Sequence, residues 1–361
     1  MCMKDYEILS GDNLVAVWKN RELDVVNDSL LPLFLKRFHD ADEWLASRAI
    51  DSHRANSRLL KKALRMAEKD DVATAVFANG VTITDNYWVR EIGSDKKYCD
   101  VRFDDDYFAR MTSKTAANVA LKGNYSSFNY LSTHSIRSSA ELTNIGSFEK
   151  CWKLIDGKWW MFKSANRNEI FSEVFTYELC KEIEISCAVY EKDSACVKTK
   201  DFTDGASVNF EPATAFMGDN EDYDAVINKL QEICPQAISD YIRMIFLDAL
   251  IANPDRHTAN FGLLRNVENG ELLGFAPCFD HNMALISRGY PTGTARKDLL
   301  ITLFADVVNK NPDYRKFIPE LNRAIVEKAI EATGMKVRKE IIIEYVMKRY
   351  ELIIEEIDSD L

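Results

Sequence analysis

An aspartate and an asparagine five residues apart, Asp255 and Asn260, follow a long apolar segment. That segment, residues 238–252, has the helical spacing of apolar side chains. Pro254 biases Asn253 away from helical backbone angles, so we predict that Asp255 lies on a loop just past the helix end. In phosphoryl transfer, a carboxylate on such a loop orients the attacking hydroxyl, and an amide oxygen five residues later helps to hold Mg²⁺. The bare pattern occurs by chance in many proteins, so a simple turn at Asp255 and a loop cap at Asn260 are the alternative.

A predicted hairpin brings a second carboxylate toward this loop. Asn269 and Gly270 form a favoured two-residue turn between two apolar runs. With that turn as the centre of the hairpin, Asn260 faces Phe279, and Asp280 lies next to Asn260 in space. Carboxylate and amide oxygens suit a magnesium ion that is also bound to nucleotide phosphates. We therefore predict Asn260 and Asp280 as magnesium ligands.

A second hairpin places two lysines opposite each other. Its turn is Asp156-Gly157, and the register that this turn sets pairs Lys150 with Lys163. Like charges directly opposite on a sheet cost roughly 0.2–1 kcal/mol. A bound phosphate shared by the two lysines would reverse that cost. The alternative is that both side chains extend into water.

Two further features flank the lysine hairpin. Before it, the short polar loop that contains Gly146 and Ser147 has backbone N–H groups suited to phosphate oxygens. After it, a predicted helix begins near residue 168, and its polar side carries Glu169 and Glu173. Either glutamate would pair with Lys163 as in protein kinases. The alternative is an exposed acidic helix face.

Composition and charge restrict the class of protein. The chain has 361 residues, enough for two domains or one large bilobal fold. Hydrophobic residues at 47% and charged residues at 29% are typical of a folded globular protein and exclude wholesale disorder. A net charge of −11 is the wrong sign for a chain that coats nucleic acid as a whole.

Several functional classes lack their motifs in this sequence. The cysteines are scattered without a C-x-x-C pair, and no H-E-x-x-H spacing occurs, so a zinc site is not expected. No apolar run is long enough for a membrane span, and the first residues have no signal-peptide core. We therefore expect a cytoplasmic protein that does not bind a membrane.

A coarse reading of the elements gives a small sheet-containing part followed by a helical part. We predict helices at 30–48 and 54–69 and a strand at 81–84. From 150 to 210 the pattern is strand, turn, strand, helix, strand, and helices dominate beyond 223. One side of the 54–69 helix is basic, which indicates either a solvated face or a docking surface.

The order of parts is a loop, a lysine strand, a glutamate helix, a D-x-x-x-x-N loop, a hairpin and an aspartate. This order resembles the HipA-like serine/threonine kinases, a bacterial branch of the protein-kinase-like fold. The resemblance covers residues 140–300 and depends on these segments: Asn253-Pro254-Asp255-Arg256-His257, Asn260-Phe261-Gly262, Phe279-Asp280 and Trp160-Met161-Phe162-Lys163. The Asp-Arg-His-x-x-Asn string is also similar to the catalytic loop of phosphatidylinositol-type lipid kinases.

The resemblance implies an α+β, bilobal protein-kinase-like fold with a small sheet-containing N-lobe and a mostly helical C-lobe. We predict an accessory region of mixed helix and strand at residues 1–135. An N-lobe with the phosphate loop and the nucleotide lysine would span 136–215. A helical C-lobe with the catalytic loop and the metal aspartate would span 216–361.

Residue by residue, the resemblance implies that Asp255 is the catalytic aspartate and that Lys163 binds the nucleotide phosphates. Asn260 and Asp280 match the metal ligands of the family. His257 matches a histidine inside the catalytic loop.

The same resemblance implies ATP and Mg²⁺ as cofactors and a protein serine or threonine as acceptor. Glu173 would orient Lys163, and Lys150 would share the phosphates. Ala259 stands where the family often has a lysine. An antitoxin-like protein is the implied partner, and nucleic acid would be contacted only through that partner.

Self-phosphorylation in the phosphate loop is a further expectation from the resemblance. The candidate acceptors are Ser138, Ser139, Thr143 and Ser147, with Ser147 first because it follows Gly146. A phosphoryl group there would add about −1.5 to −2 charge and oppose ATP binding. A flexible connector is the alternative interpretation of this stretch.

Two other functions stay open at this point. One is phosphoryl transfer to a small molecule or a lipid by the same fold, because acceptor pockets carry no short motif. The other is a non-catalytic module that binds nucleotide, or binds a partner through the basic 54–69 face.

Overall fold

The computed structural model describes residues 5–50, 57, 61, 70–103, 121, 140–144 and 149–358. The chain packs as two compact units. The first comprises Met1–Ser164, Lys198–Glu211 and Leu264–Leu272, and the second comprises Ala165–Val197, Pro212–Leu263 and Leu273–Leu361. The boundaries of these two units differ from those of the three regions predicted from the sequence. The three regions stay a prediction.

The first unit begins with an antiparallel sheet of four strands in the order β3-β2-β1-β4. The strands are β1 (Tyr6–Ser10), β2 (Asn13–Lys19), β3 (Glu22–Val25) and β4 (Tyr87–Glu91). The short helices α1 (Leu33–Phe38), α2 (Ala41–Ser47) and α3 (Asp71–Phe77) also belong to this unit. Buried side chains from these strands and helices, including Ile8, Val15 and Trp44, form one hydrophobic core.

Two predictions for this region are wrong in detail. The single helix predicted at 30–48 is broken because His39 adopts the left-handed conformation, and Asp40 then caps α2. The strand predicted at 81–84 is a loop. Its conformation is determined by the buried Asp85 carboxylate, which accepts bonds from Arg48 (2.6 Å and 3.2 Å) and from the Thr82 hydroxyl (2.8 Å).

The predicted 54–69 helix, with its basic face, lies almost wholly outside the described residues. Only residues 57 and 61 of that segment are described, and both are helical. The docking surface proposed for that face therefore stays a prediction.

The lysine hairpin forms as predicted. Strands β5 (Lys150–Ile155) and β6 (Lys158–Ser164) are antiparallel, and Lys150 pairs with Lys163. The turn residues Asp156 and Gly157 both have positive φ angles, 49° and 71°, as a two-residue hairpin turn requires. The sheet continues in the order β5-β6-β8-β7, where β7 is Tyr190–Asp193 and β8 is Cys196–Lys200.

A three-stranded sheet in the order β11-β10-β9 contains the second predicted hairpin. Its strands are β9 (Val208–Pro212), β10 (Gly262–Asn266) and β11 (Leu272–Phe275). The Ala276 N–H donates to the Gly262 carbonyl over 2.9 Å. The predicted register would place residue 277 opposite Gly262 and residue 273 opposite Asn266, but the Asn266 N–H donates to the Glu271 carbonyl over 2.8 Å. The hairpin is therefore correct, but the predicted two-residue turn is wrong: the connection spans residues 267–270, and the register differs by one residue at Gly262 and by two at Asn266.

The second unit is mainly helical. Its helices are α4 (Arg167–Glu182), α5 (Thr214–Met217), α6 (Tyr223–Ile233), α7 (Ile238–Ile251), α8 (Leu299–Lys310), α9 (Arg323–Ala332) and α10 (Lys339–Asp358). The predicted helices that begin near 168 and 238 correspond to α4 and α7. Nearly every side chain of α7 is buried, so this helix is a fixed support for the loop that follows it. Within the described residues, no helix combines the length and apolar character needed to cross a membrane.

Candidate active site

The loop that carries Asp255 starts where α7 ends. Ala252 adopts the left-handed conformation with φ 52°, and its N–H donates to the Asp248 carbonyl. The Asn253 N–H donates to the same carbonyl over 2.9 Å. The helix therefore closes within one turn of its last residue, and the half-buried Asp255 follows on the loop as predicted.

A buried ion pair fixes this loop to its helix. The Asp248 and Arg256 side chains are 0% and 4% exposed. Arg256 donates from Nε to Asp248 Oδ2 over 2.8 Å and from Nη2 to Oδ1 over 2.9 Å. Burial alone would lower the pKa of Arg256, but the attraction of Asp248 outweighs it and the pKa is raised. Asn253 adds a bond from Nδ2 to Asp248 Oδ1 over 2.8 Å.

Arg256 also joins two distant parts of the sequence. Its Nη1 donates to the Asn260 carbonyl and to the Phe279 carbonyl, each over 2.7 Å. One nitrogen atom therefore holds the end of the Asp255 loop beside the residue that precedes Asp280. The proximity of these segments was predicted from the hairpin turn, but the arginine that joins them was not.

Asn260 presents its amide oxygen rather than its amide nitrogen. The side chain is buried, its backbone N–H donates to the His257 carbonyl over 2.8 Å, and its Nδ2 donates to the Asp255 carbonyl over 3.1 Å. Among the described residues, Oδ1 accepts no hydrogen bond. The orientation set by Nδ2 thus leaves an oxygen donor of the kind that Mg²⁺ takes.

The backbone of Asp280 adopts an unusual conformation that two neighbouring side chains hold. Its φ angle is 61°, in the left-handed region. Its N–H donates to the Tyr190 hydroxyl oxygen over 2.9 Å, and the N–H of His281 donates to Glu173 Oε2 over 2.8 Å. Two successive peptide groups are therefore held by side chains from β7 and α4.

Glu173 is not on an exposed acidic face. It is 0% exposed, and it binds the peptide that follows Asp280, as described above. The other predicted partner of Lys163, Glu169, accepts the Asn166 N–H over 2.7 Å in the cap of α4. The expectation of an exposed acidic face is wrong for Glu173, and its pairing with Lys163 stays a prediction.

The lysines and the phosphate loop belong to the first unit. Lys163 is buried in β6, and Lys150 is half-buried directly opposite it. The predicted phosphate-loop residues Gly146 and Ser147 lie outside the described residues. The neighbouring Thr143 is buried, and its hydroxyl donates to the Val81 carbonyl.

That bond bears on the four predicted self-phosphorylation sites. Ser138, Ser139 and Ser147 lie outside the described residues. The Thr143 hydroxyl is engaged and shielded, so it would accept a phosphoryl group only after its local structure opens.

His257 is exposed on the loop. Its Nδ1 accepts the Ala259 N–H over 3.3 Å, so the imidazole turns back onto its own loop. This contact is a local cap, and the catalytic role expected from the resemblance stays a prediction.

The donor set suits magnesium better than a tightly enclosed transition metal. Within the described part of the chain, no group of three or more His, Cys, Asp or Glu side chains could hold a metal ion. Asn260 and Asp280 instead provide an amide oxygen and a carboxylate, and Mg²⁺ commonly takes one or two such protein ligands together with nucleotide phosphates. The residues present therefore fit a nucleotide-bound magnesium ion.

Sequence reasoning missed three residues of this site. Asp248 interrupts the apolar run from Met244 to Ile251, which is the signal of a buried charge that needs a partner. Arg256 is the cation nearest in sequence after the helix end. Tyr190 has no such signal, because ninety residues separate it from Asp280.

No protein-family model and no curated protein matches this sequence. A solved structure of HipA from Shewanella oneidensis MR-1, in a complex of a toxin–antitoxin system with HipB and operator DNA, is similar with a TM-score of 0.52. That match covers 98% of this chain and 99% of that chain at 11% sequence identity. The proinflammatory kinase CtkA of Helicobacter pylori matches 58% of this chain and 94% of its own at 17% identity, with a TM-score of 0.45.

The likeness to HipA concerns the fold. It extends over nearly the whole of both chains. The predicted α+β, kinase-like fold class is confirmed.

Proposed function

We propose that this chain is a HipA-like kinase that transfers the γ-phosphoryl group of ATP to a serine or threonine hydroxyl of a protein. The observation that carries the proposal is the Arg256 contact, which gathers the Asp255 loop and the Asp280 segment at one nitrogen atom. An aspartate, an asparagine and a second aspartate in one compact unit are the set that phosphoryl transfer uses.

Each candidate site residue of the second unit has a proposed role. The Asp255 carboxylate would orient the acceptor hydroxyl and take its proton. Asn260 Oδ1 and the Asp280 carboxylate would hold magnesium, which when bound offsets the charge that develops on the phosphate oxygens. His257 stands on the exposed side of the loop, where it would contact the acceptor.

The first unit would supply phosphate binding. Lys163 and Lys150 face each other on β5 and β6, and an anion between them would offset their repulsion. We propose that Glu173 orients Lys163 and that the loop with Gly146 and Ser147 covers the phosphates. ATP and Mg²⁺ are the cofactors that this set of residues implies.

The proposed partners follow from the same assignment. The HipA of the matching structure occurs with HipB and operator DNA. We propose an antitoxin-like protein as partner of this chain, with nucleic acid contacted only through that protein, in the cytoplasm.

Incubation with labelled ATP and Mg²⁺, with and without cell lysate, tests the proposal. We expect phosphoserine or phosphothreonine on a protein of the lysate or on the chain itself, formed about 100-fold or more slowly with Asp255→Asn. Label only on a small molecule or a lipid would replace the protein-kinase assignment by a small-molecule kinase. Nucleotide binding without any transfer would replace it by a non-catalytic module.

A further inference from the structure

We propose that Tyr190 is a positioning residue that sets the direction of the Asp280 carboxylate through the Asp280 backbone. This inference rests on the proposed function, because it concerns the metal ligand assigned there. It is carried by the hydrogen bond from the Asp280 N–H to the Tyr190 hydroxyl oxygen, 2.9 Å long.

The backbone of Asp280 needs such support. Its φ of 61° lies in the left-handed region, which is unfavourable for a residue with a Cβ. Aspartate tolerates this conformation better than most residues, and hydrogen bonds to the adjoining peptide groups stabilise it further. In the left-handed conformation, the side chain of Asp280 projects from the backbone in a different direction from that of a residue with extended backbone angles. A change in φ would therefore move the oxygens that the metal requires.

Two side chains that precede Asp280 in the sequence accept hydrogen bonds that hold the left-handed conformation of Asp280. The Tyr190 hydroxyl receives the Asp280 N–H, and Glu173 receives the N–H of His281 over 2.8 Å. Together they fix the peptide groups before and after the Asp280 side chain. Neither acceptor contributes an atom to the proposed metal site in this assignment, so both act on Asp280 through its backbone.

Tyr190 is suited to a fixed, uncharged acceptor. Its side chain is buried at the start of β7. The buried ring holds the hydroxyl oxygen in one place, where it accepts the Asp280 N–H over 2.9 Å.

Removing the hydroxyl alone separates this role from packing. Tyr190→Phe keeps the buried ring but leaves the Asp280 N–H without its acceptor. Groups that orient a metal ligand typically contribute about 10- to 100-fold in metal affinity. We expect a loss in the lower part of that range, because Glu173 still holds the next peptide.

The matched control is Tyr241→Phe. Tyr241 is another buried tyrosine of the second unit, and its hydroxyl makes no hydrogen bond among the described residues. Both substitutions remove one oxygen atom from a buried ring. Only Tyr190→Phe should affect the metal.

The experiment measures Mn²⁺ binding by electron paramagnetic resonance in the presence of a non-hydrolysable ATP analogue. We expect the Mn²⁺ dissociation constant to rise about tenfold in Tyr190→Phe and to stay unchanged in Tyr241→Phe. Hydrogen exchange of peptides spanning 276–284 should quicken in Tyr190→Phe, while exchange in α10 should not. Equal Mn²⁺ affinity in Tyr190→Phe and the unaltered chain would overturn the inference, as would a loss of equal size in both variants.

The outcome is separable from that of the proposed function. If the unaltered chain binds Mn²⁺ with the analogue but transfers no phosphoryl group, the kinase assignment fails, and the Tyr190 effect on Mn²⁺ still decides the inference. If the unaltered chain binds no Mn²⁺, Asp280 is not a metal ligand and the inference falls with it.

Discussion

Each unit of this protein contains a buried arginine that binds a carboxylate and several backbone carbonyl groups. In the second unit, Arg256 binds Asp248 and the carbonyls of Asn260 and Phe279. In the first, Arg265 binds Glu211 over 2.9 Å and the carbonyl of Leu31 over 2.7 Å. The two arginine networks are chemically alike.

The difference lies in what stands next to the carbonyls. Those bound by Arg265 belong to a short 3-10 helix and its cap, at Ser29 and Leu31, and to the turn residue Gly270. Those bound by Arg256 belong to Asn260 and to Phe279, the residue before Asp280, so they lie at the two proposed metal ligands. The arginine network therefore stabilises the fold in the first unit, and in the second unit it also positions the candidate site residues.

The largest effect on activity should come from the carboxylate that the Arg256 network presents. Asp255→Asn keeps the size of the side chain but removes its charge and its capacity to accept a proton. We expect the rate of phosphoryl transfer to fall about 100-fold or more, with little change in thermal stability. The exposed Asp219 of the same unit provides a control, Asp219→Asn, which should transfer at the normal rate.

A transfer rate in Asp255→Asn close to that of Asp219→Asn would reduce Asp255 to a loop residue. It would also weaken the contrast between the two arginine networks, because the Arg256 network would then adjoin only the proposed metal ligands.

The second effect concerns the metal. Asp280→Asn should raise the Mg²⁺ concentration needed for half-maximal transfer, because one charged ligand becomes a neutral one. The thermal midpoint should change little, since Asp280 is only half-buried. A titration of transfer rate against Mg²⁺ checks this, and an unchanged Mg²⁺ requirement would contradict the assignment.

The third effect tests Arg256 itself. Arg256→Lys keeps a positive charge but cannot bind the Asp248 carboxylate in two places and reach both carbonyls. We expect a loss of about 1–3 kcal/mol in the free energy of unfolding and, in addition, slower transfer per folded molecule. Denaturant unfolding and transfer rates measured at a temperature where the variant is fully folded separate the two losses.

The smallest effect on activity should come from the matching change in the first unit. Arg265→Lys should lower the free energy of unfolding by a similar amount, about 1–3 kcal/mol, because buried carbonyl groups lose their donors. Transfer per folded molecule should stay unchanged. Equal losses of transfer in Arg256→Lys and Arg265→Lys would show that the two networks have the same role.

Short-range signals accounted for the parts of the fold that sequence reasoning predicted correctly. The Asp156-Gly157 turn sets a register that pairs Lys150 with Lys163, since a two-residue turn leaves no freedom in the pairing. The apolar run of α7 and Pro254 likewise located the loop of Asp255. These signals act over a few residues, so they can be read from one sequence.

Interactions between distant residues account for what was missed. The segment 81–84 has strand-forming residues, but Arg48 binds Asp85 and holds the chain in a loop. Tyr190 reaches Asp280 from another strand, and nothing in the spacing of either residue indicates the other. Glu173 was identified from its position on the helix, yet its observed partner is a backbone N–H that has no sequence signature.

The β10–β11 hairpin has a consequence for how this chain tolerates insertions and deletions. Asn260 and Asp280 stand just outside its two ends, so the length of each strand determines how far apart they lie. Losing one residue from either strand would turn the following side chains to the opposite face of the sheet. The turn before β11 is restricted in residue type as well, because Gly270 has a φ of 74° and a Cβ there would lie 1.8 Å from the Ser29 carbonyl oxygen. The nineteen residues between the two proposed ligands therefore fix the separation of Asn260 and Asp280, and homologous chains should vary in sequence along this segment but not in its length.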